Sequence, residues 1–456
     1  MNGALELPLT VGETTFAAAG ECLVRRTVLP SGVRILTESV PSARSATIGF
    51  WVAVGSRDEE GSALGSTHFL EHLLFKGTSR RSALDIAVSF DEVGGEHNAA
   101  TAKEYTCYYA KVRDTDVPMA VDVLADMVTS SRLDPGEFET ERGVILEELA
   151  MAEDDIADFA GERFFEALFA GHPLGRPIGG NPGTISAVTR DAVHAHYRRY
   201  YAPHELVVTV AGAIDHDQLV AAVEAHLRRG GWNLSVEREP AARRRPKPPV
   251  SGESSQQVIA RPSEQVNLYL GVPGLAAADE RRNVLSVLSS VLGGGMSSRL
   301  FQEVRERRGL AYSVHSFASS YSDAGVLGMY AACSPGRARS VAELMLAEFR
   351  AIARDGVTQE ELRRALGQLG GASALALEDS DTRMSRLGRA EITTGEFIDL
   401  DEALSRLARV TTADVAALAS QLAEGPLTVT AVGRVDESLA GESLIGETAL
   451  QRNEGA

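Results

Sequence analysis

The chain has few cysteines, no long apolar run and no excess of positive charge, and each shortage excludes a class of protein. Three cysteines in 456 residues, Cys22, Cys107 and Cys333, are too few and too far apart for a disulfide framework or a cysteine-rich metal site. They read as buried, reduced thiols. No apolar stretch approaches the ~20 residues that span a bilayer, and residues 1–20 lack a basic start followed by an apolar run, so a cytoplasmic protein without a membrane partner is expected. Lys and Arg number 45 against 63 Asp and Glu, a formal net charge of −18. Nucleic acid is therefore not expected as a partner, because phosphate binding needs a basic surface. Histidine is also scarce, at 10 residues, which makes its placement informative.

What is present suits an ordinary globular protein, at 44% hydrophobic and 24% charged residues. The length is too great for a single core and fits two domains of about 200 residues each.

Two of the histidines stand in Thr67-His68-Phe69-Leu70-Glu71-His72-Leu73-Leu74-Phe75. Positions 68, 71 and 72 are related as i, i+3 and i+4, which a helix gathers within one turn. Phe69, Leu70, Leu73 and Leu74 cover its other faces, so the helix is expected to be buried, where two unpaired imidazoles and a carboxylate would be costly. Both histidines can bind one zinc, and Glu71 can act as general base on a water activated by it. Ordinary core histidines paired with a nearby acid are the plain alternative. For a lone histidine that alternative prevails; for two, four apart, with a glutamate just before the second, it is weak.

Along the chain, residues 1–20 read as a loose N-terminal arm, 28–36 as strand, turn and strand, and 46–55 as a largely buried strand. A helix is expected over 82–93, a turn over 94–101, an alternating strand over 105–112, and helices over 117–130 and 134–151 with Asp134 as N-cap and Pro135 at the first helical position. The chain then repeats itself. Residues 46–50 are matched by 266–270 and residues 206–215 by 427–436, offsets of 220 and 221. Two domains of similar fold follow. The expected boundaries are a zinc-binding domain over 21–230, an extended linker over 231–256, a homologous domain over 257–440 and a tail over 441–456. The linker's basic run at 243–247 reads as a solvated connector. The offset puts Leu288, Val291 and Leu292 at the positions of His68, Glu71 and His72, so the second domain should keep the helix without the metal. A zinc site needs a third protein ligand, and the 134–151 helix offers Glu141, Glu147 and Glu148. Glu141 and Glu148 are seven apart and share a face, but composition does not choose between Glu147 and Glu148.

His68-Phe69-Leu70-Glu71-His72, then Glu141-Arg142 with Glu148 seven residues after Glu141, resembles the inverzincin motif of the pitrilysin (insulinase) family. The likeness is to its short bacterial members and to the beta subunit of the mitochondrial processing peptidase. It extends to Gly94-Gly95-Glu96-His97-Asn98-Ala99 with Thr101 and Glu104, similar to the family's substrate-binding edge segment. It also reaches Leu300-Phe301-Gln302-Glu303-Val304-Arg305 and Gly309-Leu310-Ala311-Tyr312, similar to the segment whose Arg and Tyr reach the scissile bond. The resemblance implies an α+β fold of two homologous α/β-roll domains, each a mixed sheet with helices packed on it. It makes His68, His72 and Glu148 the ligands of one Zn2+ per chain, Glu71 the base, Glu141 an acid behind the ligands, and Asn98 and Ala99 substrate-lining. Arg305 and Tyr312 become catalytic through the resemblance alone. A zinc endopeptidase cleaving unfolded or short peptides inside a chamber is the function implied. Larger members enclose that chamber with four such domains, so a two-domain chain is expected to pair as a homodimer. The rival from another class is a non-catalytic scaffold or regulatory subunit of a processing-peptidase-like complex, a kind of chain that has lost zinc ligands.

Overall fold

The computed structural model describes residues 3–244 and 253–435; the expected tail over 441–456 lies outside them. Eight strands come first: β1 (Ala4–Glu6), β2 (Gly12–Ala17), β3 (Leu23–Val28), β4 (Arg34–Ser39), β5 (Ser45–Val52), β6 (Glu96–Thr101), β7 (Thr106–Arg113) and β8 (Leu206–Gly212). Six follow: β9 (Ser255–Ala260), β10 (Val266–Pro273), β11 (Ala311–Ser320), β12 (Gly325–Cys333), β13 (Glu396–Ile398) and β14 (Thr428–Gly433). The first helices are α1 (Ser66–Leu74), α2 (Ala83–Asp91), α3 (Val117–Ser130), α4 (Pro135–Asp154) and α5 (Ile156–Leu168). Next are α6 (Pro182–Ala187), α7 (Arg190–Tyr200), α8 (His216–Arg229) and α9 (Arg282–Gly293). The last are α10 (Ala338–Asp355), α11 (Gln359–Ala376), α12 (Ser380–Arg389), α13 (Leu400–Ala408) and α14 (Thr412–Ala423).

The chain forms two compact units, and both are discontinuous where the sequence reading drew continuous domains of 21–230 and 257–440. One contains residues 1–149, 177–243 and 373–403; the other contains 150–176, 244–372 and 404–456. The first is built on a seven-stranded sheet in the order β2-β3-β4-β8-β5-β7-β6, the second on a five-stranded sheet in the order β11-β12-β10-β14-β9. Five strands correspond between them: β4-β8-β5-β7-β6 matches β9-β14-β10-β12-β11, and in each sheet only the first of these pairs is parallel. The repeat read from the sequence thus corresponds to equivalent strands, β5 with β10 and β8 with β14, each in its own sheet. The metal helix recurs as α9, with Leu288, Val291 and Leu292 all buried.

In the first unit, one sheet face carries the main core, where Phe50 and Tyr108 meet Phe69, Leu73, Phe138 and Ile145. The other face is closed by α12, whose Met384 and Leu387 pack with Trp51, Cys107 and Val207. Glycine permits the close approach, since a Cβ at Gly388 would strike the Trp51 ring and one at Gly49 the Met384 sulfur. In the second unit the corresponding face is closed by α5, through Phe164, Leu168 and Val326. Offset by 220 residues, α5 falls on α12, so the two halves of the sequence exchange equivalent helices.

Two expectations change. The arm over 1–20 is not loose: β2 pairs with β3, β1 pairs with β13, and Leu7 is buried. Nor is the start of the linker a free connector. Leu234 is buried, Arg238 N–H donates to Pro30 O, and Arg243 of the basic run reaches the buried Glu391 carboxylate at 3.0 Å; residues 245–252 lie outside the described residues. Among the described residues no helix is long and apolar enough to cross a membrane.

Candidate metal centre

Helix α1 begins at Ser66 after Gly65, which adopts the left-handed φ of 88°. No side chain adjacent in sequence caps it. Instead the buried carboxylate of Glu59 accepts the N–H of Gly65 and the N–H of Thr67, each at 2.7 Å. An acid at the positive end of the helix satisfies two orphan donors and suits its dipole. Phe69, Leu70, Leu73 and Leu74 are fully buried, as the sequence pattern requires, which aims His68, Glu71 and His72 along the remaining face.

Helix α4 crosses that face. Asp134 caps it, accepting the Gly136 N–H at 2.8 Å, and Phe138 stacks on Phe69 with ring centroids 4.3 Å apart. This packing carries Glu141 and Glu148 to the histidines. Glu148 Oε2 stands 3.3 Å from His72 Nε2 and 3.8 Å from His68 Nε2, and one donor atom from each residue lies within 4.8 Å of the others. Zinc with N and O ligands at about 2.0–2.2 Å needs tetrahedral donor spacings of about 3.4 Å. Two imidazoles and a carboxylate are the donor types such an ion takes, and Glu148 Oε2 stands near that spacing from both rings. Among the described residues this is the one His/Cys/Asp/Glu group able to hold a metal.

The surroundings orient the donors. Glu141, 1% exposed, places Oε2 3.1 Å from His72 Nδ1, which fixes the ring and turns Nε2 toward Glu148. Lys76 Nζ lies 2.8 Å from the other Glu141 oxygen, Oε1, as an ion pair without hydrogen-bond alignment. His68 Nδ1 is buried without a hydrogen-bond partner beside Gly179, where a Cβ would come within 3.5 Å of it. Burial, and then the neighbouring His72, hold the His68 pKa below the ordinary imidazole value. The neutral form, with a free lone pair, is the one that ligates metal. On the same face, Glu71 is held from the side of β6, where the Thr101 hydroxyl donates to its Oε2.

Of the two acids left open in sequence, the donor group includes Glu148 and omits Glu147. After dialysis, Glu148→Gln should retain far less zinc than the native chain, whereas Glu147→Gln should retain the same amount. Metal analysis that gave the reverse order would show that the helix face had been misread.

Residues 94–101, expected as a turn, contain β6, the edge strand of the seven-stranded sheet. Its polar residues Glu96 and Asn98 are exposed while His97, Ala99 and Thr101 turn inward, and His97 stacks on Phe90 at 4.3 Å. Asn98 and Ala99 thus lie on the strand that ends this sheet among the described residues, where Asn98 Oδ1 accepts the Ala99 N–H at 2.8 Å. Arg305 and Tyr312 belong to the second unit. The Arg305 guanidinium lies 4.4 Å from the centre of the Tyr312 ring and donates to Tyr312 O at 3.1 Å, with Tyr312 76% exposed. Sequence reasoning missed Glu59 and Lys76 and gave Thr101 no role of its own. Glu59 contacts helix positions six and eight residues onward through a loop, a spacing no capping rule covers.

The chain matches two family models, "Insulinase (Peptidase family M16)" over residues 34–182 and "Peptidase M16 inactive domain" over residues 187–369. It is 49% identical to an uncharacterized zinc protease of Streptomyces coelicolor, over 87% of this chain and 86% of that one. It is 47% identical to one of Mycobacterium leprae, over 90% and 92%, and 41% identical to YmxG of Bacillus subtilis, also an uncharacterized zinc protease, over 88% and 96%. Its fold is similar to that of a protease from Helicobacter pylori, with a TM-score of 0.81 at 21% identity, covering 90% of this chain and 99% of that one.

Proposed function

We propose, from the premise that this chain belongs to peptidase family M16, that it is a cytoplasmic zinc endopeptidase acting on unfolded or short peptides. The observation that carries the reading is the intact set of His68, His72 and Glu148, with Glu71 beside it and Glu141 behind it. One zinc per chain held there would supply Lewis acidity, polarising a peptide carbonyl and lowering the pKa of water. Glu71 takes the proton of the attacking water and passes it to the leaving amine. An extended peptide pairs with the open edge of β6 beside Asn98 and Ala99, where main-chain hydrogen bonds give affinity with little sequence demand. Tyr312 hydrogen-bonds the oxyanion of the tetrahedral intermediate, and Arg305 positions it. The test is metal content measured beside cleavage of a quenched peptide mixture. Zinc without cleavage would favour the rival reading, a non-catalytic scaffold or regulatory subunit.

The working unit in this reading is a homodimer enclosing a chamber, in which Arg305 and Tyr312 serve the zinc of the partner chain. Glu71→Gln and Arg305→Ala chains, each inactive alone, should then regain activity on mixing, up to about half the native value per mixed dimer if the sites act independently. No recovery, with subunit exchange confirmed by mass, would sink the shared site.

A further inference from the structure

We infer that Thr101 is the positioning residue for the general base, so that the strand offered to the peptide also aims the carboxylate that works on it. The inference rests on the reading of Glu71 as base. Among the described residues no other group hydrogen-bonds the Glu71 carboxylate: the Thr101 hydroxyl donates to Oε2 and leaves Oε1 as the oxygen free to accept a proton. A glutamate without such a donor would turn about its terminal torsion, which is broad for this side chain.

Both partners are anchored to one segment. Residue 101 is the last rung of the β6·β7 ladder, and the turn beyond it is braced by Ser56 N–H donating to Ala102 O at 3.1 Å and Arg57 N–H donating to Lys103 O at 3.0 Å. A Cβ at Gly55 would strike the backbone of residues 102–104, so this bracing needs glycine there. Arg57 and Glu104, both nearly buried, form an ion pair at 2.5 Å across the same junction. Two residues after Arg57, Glu59 holds the start of α1, which carries Glu71. Residues 55–59 therefore tie the substrate strand and the metal helix together, and the Thr101 hydroxyl closes the loop at the base.

The test compares Thr101→Val and Thr101→Ser with the native chain, each zinc-loaded, on a quenched peptide. A misplacement of about 1 Å at a reacting group can cost about 10²-fold. Thr101→Val, which keeps the shape and removes the donor, should lower kcat by about 10–100-fold on that basis, with KM within about twofold. Zinc per chain and melting temperature should equal the native values in both variants. Thr101→Ser, which restores the hydroxyl, should recover kcat to within about threefold of native. A Thr101→Val kcat at the native level, a loss confined to KM, a loss that follows zinc content, or a serine variant as impaired as the valine one overturns the inference. If the native chain cleaves no better than Glu71→Gln, the reading of Glu71 as base has failed and the inference falls with it. If native is active, Glu71→Gln is dead and Thr101→Val is native-like, only the inference fails.

Discussion

Glu71→Gln is expected to bind zinc as the native chain does and to lose at least about 10²–10⁴-fold of its peptidase activity, the share general-base catalysis supplies. The separation of effects follows from placement. Glu71 shares the half-buried face of α1 with His68 and His72, but the three donors that converge are His68, His72 and Glu148. Its own carboxylate is turned to Thr101. Glutamine has the same size and still offers a carbonyl oxygen to the Thr101 hydroxyl, so local packing should survive. What it lacks is the capacity to accept a proton, to hold it, and to deliver it to the amine. Zinc by atomic spectroscopy and turnover of a quenched peptide should be measured on the same preparation. An active Glu71→Gln enzyme removes Glu71 from the mechanism, and loss of zinc along with activity would make it a ligand or a support instead.

The metal face was legible because helix periodicity is local: five residues fix which side chains share a turn, and the buried Phe69, Leu70, Leu73 and Leu74 confirm the apolar remainder. The cap at Asp134, the buried β5 strand and the duplication are legible for the same reason. Strand β6 was not. Its sequence, Glu-His-Asn-Ala-Ala-Thr after two glycines, has Thr101 as its one β-branched residue and no Phe, Tyr or Trp, and pairing with Tyr108 and Tyr109 of β7 overrides that propensity. The exchange of α5 and α12 was also hidden. An apolar stripe such as Met384 and Leu387 says that a helix covers a sheet, and nothing in its period says which sheet. The ion cluster that fastens the returning segment was missed because it needs residues hundreds of positions apart: Arg26, Arg34, Arg243 and Glu391.

That cluster carries the largest expected effect on stability. Glu391, fully buried, accepts two hydrogen bonds from Arg26 at 2.8 and 3.0 Å, stands 3.0 Å from Arg243 and 3.6 Å from Arg34. Burial holds the Arg34 guanidinium below its ordinary pKa, and Glu391 is the largest charge acting against that shift. Glu391→Gln would leave Arg26, Arg34 and Arg243 facing one another without the buried carboxylate between them, at the junction where residues 373–403 return to the seven-stranded sheet. Removing one partner of a buried ion pair costs about 3–5 kcal/mol, far more than the pair's net worth, because the stranded charge keeps its desolvation penalty. The chain's two tryptophans, Trp51 and Trp232, both belong to this unit. Urea unfolding followed by tryptophan fluorescence therefore reads this unit's transition apart from the other's, as a chain of two units requires. The exposed Glu13, 3.6 Å from Arg25, gives the control: Glu13→Gln should move the transition by less than about 1 kcal/mol. If Glu391→Gln moved it no further than that control, the cluster would be no fastening, and α12 would owe its place to its own contacts with the sheet, the apolar ones of Met384 and Leu387 and the Arg383–Glu38 ion pair.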